Sequence, residues 1–450
     1  MVYYSYEAVK HTSRSKVYAT MLNATSVQAV NESQFSQQFI KPLYESYCFA
    51  NLPTTIEFLL TGKGQSALPL EAFGDLPTHY DKVIFFFVDA FGWRFFERYA
   101  EKYEFLKTVM QQGTVSKMTS QFPSTTAAHV TSIHTGLPVG QSGVYEWNYY
   151  EPLVDDLISP LLFSYVNYAK DEKLKRDTVK RANIPATSFF PQQTLYKKLK
   201  EQGVASHILQ HQNYTPSTYS DVVFQGARTY AYQTIEQALF YLAELVTVEN
   251  APPSYYFLYF DRIDFEGHHS GPFSKQFEQE VDAFFRAMHE LFYKNIQGKA
   301  QKTLLIMTAD HGQIEVNPRT TYYLDRELPE LQQYLKTNRQ GQLLVPAGSA
   351  RDMFLYVKDE HVAEATALLR RKLEGRAEIY ATPDLLAQRF FGQGEPSATL
   401  LGRLGNVVIL PYKNETVWWS QAGKYDMRFL GHHGGLTREE MEIPLLLLAF

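Results

Sequence analysis

Apolar runs of strand length recur along the chain and alternate with amphipathic stretches of helical length. The runs cover residues 83–88, 206–209, 255–260 and 304–308, and helical patterns such as TIEQALFYLAEL lie between them. Strands that are apolar throughout indicate a sheet buried on both faces, which is typical of parallel strands joined by crossover helices. We therefore predict an α/β fold with a mostly parallel central sheet and helices on both faces. Ligands of such folds bind beyond the carboxyl ends of the strands.

The sequence predicts one core domain with two additions. Residues 1–80 are mixed in pattern and punctuated by Pro and Gly, so we expect a lead-in segment packed on the core. Residues 80–345 and 400–450 carry the strand and helix alternation of the core domain. Residues 345–400 read as a strand, a helix and a strand, MFLYV, HVAEATALLRRKLEG and AEIYA. We predict that this last segment is a small inserted α+β cap or lid.

Composition excludes several classes of protein. The net charge of -5 is spread without long runs, which argues against binding of nucleic acid polymers or anionic membranes. Cys48 is the only cysteine, so no disulfide can form within the chain, as is usual in a reducing compartment. The amino-terminal segment lacks the apolar core of a secretory signal, and the apolar stretches are too short to cross a bilayer. We expect a cytoplasmic location without membrane contact.

Potential metal ligands follow three of the apolar runs. They are Asp89 in VIFFFVDAFGW, Asp264 and His268 in YYFLYFDRIDFEGHHSGP, and Asp310 and His311 in TLLIMTADHG. Because the carboxyl ends of parallel strands meet at one edge of a sheet, these side chains are expected to converge. Carboxylates and imidazoles together suit zinc, and also manganese or iron.

Two of these assignments are ambiguous from the residues alone. Asp264 and His268 stand four residues apart, so a helical turn would direct both at one cation, but Asp261 and His269 compete for the same roles. Near the carboxyl terminus, FLGHHGG offers a further ligand as either of two adjacent histidines, 432 and 433.

The stretch FPSTTAAHVTSIHTG contains the candidate nucleophile. Ser124 and Thr125 are capping residues ahead of a helix that Gly136 ends, which places Thr126 in the first turn. Free backbone N–H groups and the helix dipole favour an anion at that point, so a phosphate would lie beside its attacker. The same hydroxyls are also what an ordinary N-terminal cap requires. His129, three residues on, reaches a phosphate oxygen or packs in the interior.

These motifs in this order resemble the alkaline phosphatase superfamily and, within it, the type I phosphodiesterase/nucleotide pyrophosphatase branch. The resemblance covers residues 80–145, 255–315 and 425–450. Its Phe-Pro-x-x-Thr, Asp-x-x-Gly-His, Asp-His-Gly and Gly-x-His-Gly motifs fall on Thr126, on Asp264 and His268, on Asp310 and His311, and on His433. The resemblance thus selects one alternative in each ambiguous segment and implies an alkaline phosphatase-like fold.

The resemblance further implies two divalent metal ions, zinc in this family. One would be held by Asp264, His268 and His433, and the other by Asp89, Asp310, His311 and the Thr126 oxygen. It implies hydrolysis of a small-molecule phosphate ester, a phosphodiester or a nucleotide pyrophosphate, through a phospho-threonine intermediate.

The chain departs from the branch at the phosphate-binding asparagine. That position falls on Trp147, with Asn148 next to it, and we assign substrate contacts to both and to His129. A sulfatase would need a Cys or Ser in a Cys/Ser-x-Pro-x-Arg context, and Cys48 in YCFANLP does not fit. A phosphomonoesterase or phosphomutase needs extra positive charge, for which Arg94, Lys117 and Arg428 are the candidates. A non-catalytic binding protein on the same fold is the remaining alternative.

Overall fold

The computed structural model describes residues 22–166 and 176–450. Residues 1–21, part of the predicted lead-in, lie outside the described residues. The described part of that lead-in contains two α-helices and packs on the main hydrophobic core.

The strands are short outside the central sheet. In chain order they are β1 (Lys82–Val88), β2 (Thr114–Thr119), β3 (Tyr149–Glu151), β4 (Asp156–Ser159), β5 (Ser164–Tyr165), β6 (Ala205–His211), β7 (Arg228–Tyr232), β8 (Ser254–Phe260), β9 (Thr303–Thr308), β10 (Ile314–Glu315), β11 (Tyr322–Tyr323), β12 (Met353–Leu355), β13 (Ala377–Ala381), β14 (Val407–Pro411), β15 (Val417–Trp418), β16 (Gly431–His432) and β17 (Glu442–Ala449).

The helices lie mostly between the strands. In chain order they are α1 (Ala24–Asn31), α2 (Leu52–Thr61), α3 (Trp93–Tyr99), α4 (Glu104–Gln112), α5 (Thr126–Thr135), α6 (Val139–Ser142), α7 (Leu195–Glu201), α8 (Thr218–Val223), α9 (Ile235–Val246), α10 (Arg262–Ser270), α11 (Lys275–Ala287), α12 (Lys294–Ile296), α13 (Leu324–Glu327), α14 (Val362–Lys372), α15 (Thr382–Ala387), α16 (Ala398–Arg403) and α17 (Arg438–Met441). A π-helical turn, Met288–Tyr293, joins α11 to α12. None of the described helices is long and apolar enough to cross a membrane.

The central sheet has seven strands in the order β2-β17-β9-β1-β8-β6-β7. Neighbouring strands from β9 to β7 run parallel, and β17 is antiparallel to both of its neighbours. Every residue of β8 and β9 is buried, so both faces of the sheet are covered. The prediction of a largely parallel α/β sheet is confirmed, and the four apolar runs coincide with β1, β6, β8 and β9.

A second hydrophobic cluster lies beside the main core and draws on residues from 324 to 419. Its sheet, β12-β14-β13, carries α14 against β13, so it contains the strand, helix and strand expected at 345–400. The third strand, β14, comes from beyond that segment. That residues 345–400 act as a lid stays a prediction.

Two fully buried arginines contribute ion pairs between segments that are distant in sequence. Arg351 donates two hydrogen bonds of 2.9 Å to the Glu440 carboxylate, and Arg403 pairs with Glu151 at 2.6 Å. Burial alone would raise the pKa of Glu440, but Arg351, together with hydrogen bonds from Thr437 and the Gly435 N–H, lowers that pKa. The first pair joins the segment before β12 to α17, and the second joins α16 to β3.

We expect Arg351→Met to lower the free energy of unfolding by about 3–5 kcal/mol, because it leaves the Glu440 carboxylate buried without its partner. Arg98, which pairs with Glu278 at the surface, provides the control. Arg98→Met should change stability by less than about 1 kcal/mol in the same denaturant titration. Equal effects of the two substitutions would contradict a structural role for the buried pair.

Candidate active site

The topology brings the predicted ligands to one edge of the sheet. Asp89 follows β1 directly, Asp310 follows β9, and Asp264 lies in the first turn of α10, just after β8. Because β17 runs antiparallel, its first residues lie at this same edge, and His433 arrives there from the segment that precedes α17. Segments remote in sequence therefore converge where the strand order predicts a ligand site.

Thr126 is the first residue of the ten-residue helix α5, with Thr125 as its N-cap. Its hydroxyl oxygen lies 3.4 Å from Asp89 Oδ2 and 3.3 Å from His311 Nε2. Thr125 is 3% exposed and makes no side-chain cap hydrogen bond. The helix therefore presents Thr126 to the cluster of acids and imidazoles, and its first N–H groups are available to an anion.

Asp264, His268 and His433 form the first ligand group, with one ligand atom of each within 4.8 Å of the others. The His268 Nδ1–H donates to the Gly431 carbonyl oxygen at 2.8 Å, and the His433 Nδ1–H donates to that of Ser124 at 3.0 Å. The two Nε2 atoms are then 3.1 Å apart. Nδ1 bound to a carbonyl is the arrangement that fixes a metal-ligating imidazole.

The two imidazoles face each other through their Nε2 atoms. Burial, together with neighbouring imidazoles, lowers the pKa of both His268 and His433 well below its ordinary value, so both rings are neutral. With Nδ1 protonated, two nitrogen lone pairs face each other and repel. The residues of the first group therefore fit a divalent metal, and the nitrogen and oxygen donors suit zinc.

Asp89, Asp264 and His311 form a second group of the same kind, so Asp264 lies within reach of both groups. Asp310 adjoins it, with its Oδ2 atom 3.2 Å from His311 Nε2. Asp89 Oδ1 and Asp310 Oδ2 are buried without a hydrogen-bond partner. Such oxygens are costly unless a cation binds them, so this group fits a second metal.

The three acids also repel one another. Burial, with the charges of Asp310 and Asp264, raises the pKa of Asp89 well above its ordinary value. Burial raises the pKa of Asp264 to about 7. Positive charge at this position would reverse both shifts, because it favours the ionised carboxylates.

The type I phosphodiesterase/nucleotide pyrophosphatase family matches residues 83–436, most of the chain. The chain belongs to this family. The family expected from the motifs is thus confirmed, and its proteins are phosphodiesterase and nucleotide pyrophosphatase hydrolases.

Similar proteins include ectonucleotide pyrophosphatase/phosphodiesterase family member 3 of Rattus norvegicus, 24% identical over 323 residues. That alignment covers 69% of this chain and 33% of the rat protein, so the chain spans about a third of that relative's length. Murine ectonucleotide pyrophosphatase/phosphodiesterase 5 superposes with a TM-score of 0.61 at 17% identity, covering 82% of this chain and 88% of that one. The human form superposes with a TM-score of 0.59 at 16% identity and with the same coverage of both chains. An inactive variant of the murine protein, whose structure was solved in complex with AMP, superposes with a TM-score of 0.60 at 17% identity. At these identities the structures show the fold alone.

The position of His129 corrects the expected phosphate contact. The side chain is fully buried, its Nδ1–H donates to the Thr125 carbonyl oxygen at 2.8 Å, and its Nε2 accepts the Gln121 N–H at 2.9 Å. Burial lowers its pKa to about 4. His129 thus joins the first turn of α5 to the segment that follows β2, and it lines neither of the two clefts described below.

Trp147 stands between two clefts that meet at Thr126. The indole side chain is 42% exposed and lines both clefts, as do Asp264 and His268. Asn148 lines the first cleft only, where its side-chain oxygen accepts a hydrogen bond from Ser159. The structure therefore brings Trp147 next to the ligand groups and places Asn148 beside it.

The three cations proposed for a monoesterase occupy different places. Arg94 pairs with Glu315 at 2.9 Å, and Lys117 pairs with Glu442 at 2.6 Å, and neither lines the clefts. Arg428 lines the first cleft and is exposed. Arg176, which the sequence analysis did not single out, lines the second.

Two residues that support the ligands were also missed. The Gln313 amide donates to Asp264 Oδ1 at 2.6 Å, and the Tyr259 hydroxyl donates to Asp89 Oδ2. A Cβ at Gly267 would lie 1.7 Å from Gln313 Oε1, which explains the glycine in the Asp-x-x-Gly-His motif. The position of Gln313 directly after the Asp-His-Gly motif is the sequence feature that could have identified it.

Proposed function

We propose that this chain hydrolyses phosphodiesters or nucleotide pyrophosphates with Thr126 as the nucleophile and two bound divalent metal ions, zinc by preference. The observation that carries the proposal is the Thr126 hydroxyl within 3.4 Å of both Asp89 and His311, at a helix N-terminus. Asp264, His268 and His433 would hold one ion, and Asp89, Asp310 and His311 the other, with Asp264 close to both. When bound, the ions supply positive charge that favours the threonine alkoxide and the phosphoryl oxygens.

The residues of the chain account for the rest of the reaction. The Thr126 hydroxyl, which lies 3.4 Å from Asp89 Oδ2, gives up its proton to solvent. The oxygen attacks phosphorus, the ester oxygen opposite leaves and takes up a proton from solvent, and the N-terminal N–H groups of α5 stabilise the phosphoryl charge. Water then cleaves the threonyl phosphate and regenerates the hydroxyl. With a diester substrate the covalent intermediate retains the second ester group.

Two clefts that meet at Thr126 favour a diester, because each can take one ester group. The aromatic walls, which include Trp147 in both clefts and Trp418 and Phe429 in the first, suit flat groups such as nucleobases. The AMP bound to a murine structural neighbour is consistent with a nucleotide in this chain. The cytoplasmic location stays a prediction from the sequence.

We expect a nitrophenyl phosphodiester to give a higher kcat/KM than the matching monoester. A monoester carries nearly two charges and needs an additional cationic partner, and Arg94 and Lys117 are already paired elsewhere. Arg428→Ala should therefore leave the diester rate largely unchanged. A clear monoester preference that collapses in Arg428→Ala would instead assign the chain to the phosphomonoesterases.

A further inference from the structure

The second cleft differs from the first in its size and in the charge of its wall. Its volume is about 200 Å³, against about 480 Å³ for the first, so it accommodates the smaller of two ester groups. In the described part of the chain, Arg176 is the only lysine or arginine that lines it. A substrate group that enters this cleft therefore meets one fixed positive charge in addition to any bound ion.

The Arg176 side chain is held in place but has no partner of opposite charge. Its guanidinium carbon lies 5.9 Å from the centre of the Tyr214 ring, a cation–π contact that leaves its N–H groups unused. Among the residues that the structure describes, no carboxylate pairs with it. The side chain is half-buried, in a cleft whose walls include the apolar residues Leu161 and Phe224. A charge in such surroundings gains more from an anionic partner than it would in bulk water.

The backbone next to Arg176 is anchored to the body of the protein. The Asp177 N–H donates to the Leu162 carbonyl oxygen at 2.9 Å, and Leu162 itself lines the second cleft. The Asp177 carboxylate accepts a hydrogen bond from the Thr218 hydroxyl at 2.6 Å and pairs with Lys180 at 3.0 Å, so it is not available to Arg176. The charge is thus in position before a substrate arrives, which lowers the entropic cost of binding.

The acidic groups that line the same cleft have other partners. Asp89 and Asp264 belong to the two ligand groups. Asp261 accepts a hydrogen bond from the Tyr214 hydroxyl, while the ring of that tyrosine contacts Arg176. Tyr214 thus stands between the two charged groups, and the positive charge of Arg176 is not cancelled by direct contact with Asp261.

We propose that Arg176 binds an anionic substituent, a carboxylate or a second phosphate, on the ester group that occupies the second cleft. The inference rests on the proposed function and narrows its substrate class to phosphodiesters with an additional acidic group on one side and a larger, flat group on the other. A guanidinium presents parallel N–H donors that match the oxygens of either anion. Arg176 thereby acts on substrate choice and orientation, and the bond cleavage itself belongs to the residues around Thr126.

The test measures binding without turnover. Zinc-loaded wild-type protein is titrated in a calorimeter with carboxyalkyl phosphates of increasing spacer length and with the matching neutral carbamoylalkyl phosphates. Alkyl bisphosphates with the same spacers show whether phosphate or carboxylate is the preferred anion. At the best spacer length we expect the charged ligand to bind about tenfold more tightly than its neutral counterpart, as a hydrogen bond between charged groups implies.

Three variants assign that preference to one side chain. Arg176→Ala should abolish it, and Arg176→Lys should keep part of it, because lysine retains the charge without the planar fork. Arg428→Ala is the matched control and should keep the whole preference, because Arg428 lines the first cleft only.

Wild-type protein that binds the charged ligands no more tightly than the neutral ones, at every spacer length, would overturn the proposal. A preference that survives in Arg176→Ala would overturn it as well. Neither result depends on hydrolysis. Protein that cleaves a neutral nitrophenyl diester but shows no such preference would keep the proposed function and lose only the role of Arg176.

Discussion

Thr126→Ala should lower kcat by roughly three orders of magnitude or more, because it removes the covalent route and leaves only direct attack by water. In free energy this is a loss of about 4 kcal/mol of transition-state stabilisation. The fold should be unaffected, since α5 keeps its N-cap residue and its C-terminal Gly136. The measurement is steady-state hydrolysis of a nitrophenyl diester, with metal content and melting temperature checked in the same preparation.

Two further variants show whether the register of this motif is right. Thr126→Ser keeps a hydroxyl at the same position and should retain part of the activity. Thr125→Ala should have a mild effect on turnover, because Thr125 is the N-cap of α5 and its side chain makes no cap hydrogen bond. An inactive Thr125→Ala beside an active Thr126→Ala would place the nucleophile one residue earlier.

The second large effect is expected at Asp264, the carboxylate that lies within reach of both ligand groups. Asp264→Asn should lower metal content at both positions and abolish most activity, because the amide supplies no negative charge to either group. Loss of affinity should exceed the roughly 10–100-fold typical of residues that only support a ligand. Metal analysis after dialysis against a weak chelator, together with the diester assay, measures both losses.

Asp261→Asn is the matched control for that substitution. Asp261 accepts a hydrogen bond from the Tyr214 hydroxyl and belongs to neither ligand group. The Asp261→Asn variant should therefore retain its metal content. If Asp261→Asn loses metal while Asp264→Asn retains it, the choice between the two aspartates in this segment is wrong.

The central sheet could be predicted because short, continuous stretches of the sequence determine its strands. The run at residues 255–260 is apolar throughout, and it forms β8, which is buried at every position. The candidate metal ligands also follow a strand directly or lie within a short motif, and the strand order brings Asp89, Asp310 and the start of α10 to one edge. Patterns of this kind require no knowledge of how distant side chains are directed.

The remaining features depend on side-chain directions and long-range contacts. The first turn of α5 directs Thr126 outward and His129 inward, which helical spacing alone did not separate. That Asp264 lies near both ligand groups depends on three elements packing together.

The central claim, a covalent intermediate on Thr126, is tested most directly by the stereochemistry at phosphorus. A phosphorothioate diester of known configuration is hydrolysed in heavy-oxygen water, and the configuration of the product is determined. Two successive in-line displacements, first by Thr126 and then by water, predict overall retention. Inversion of configuration would show a single direct attack by water and would contradict the proposed role of Thr126.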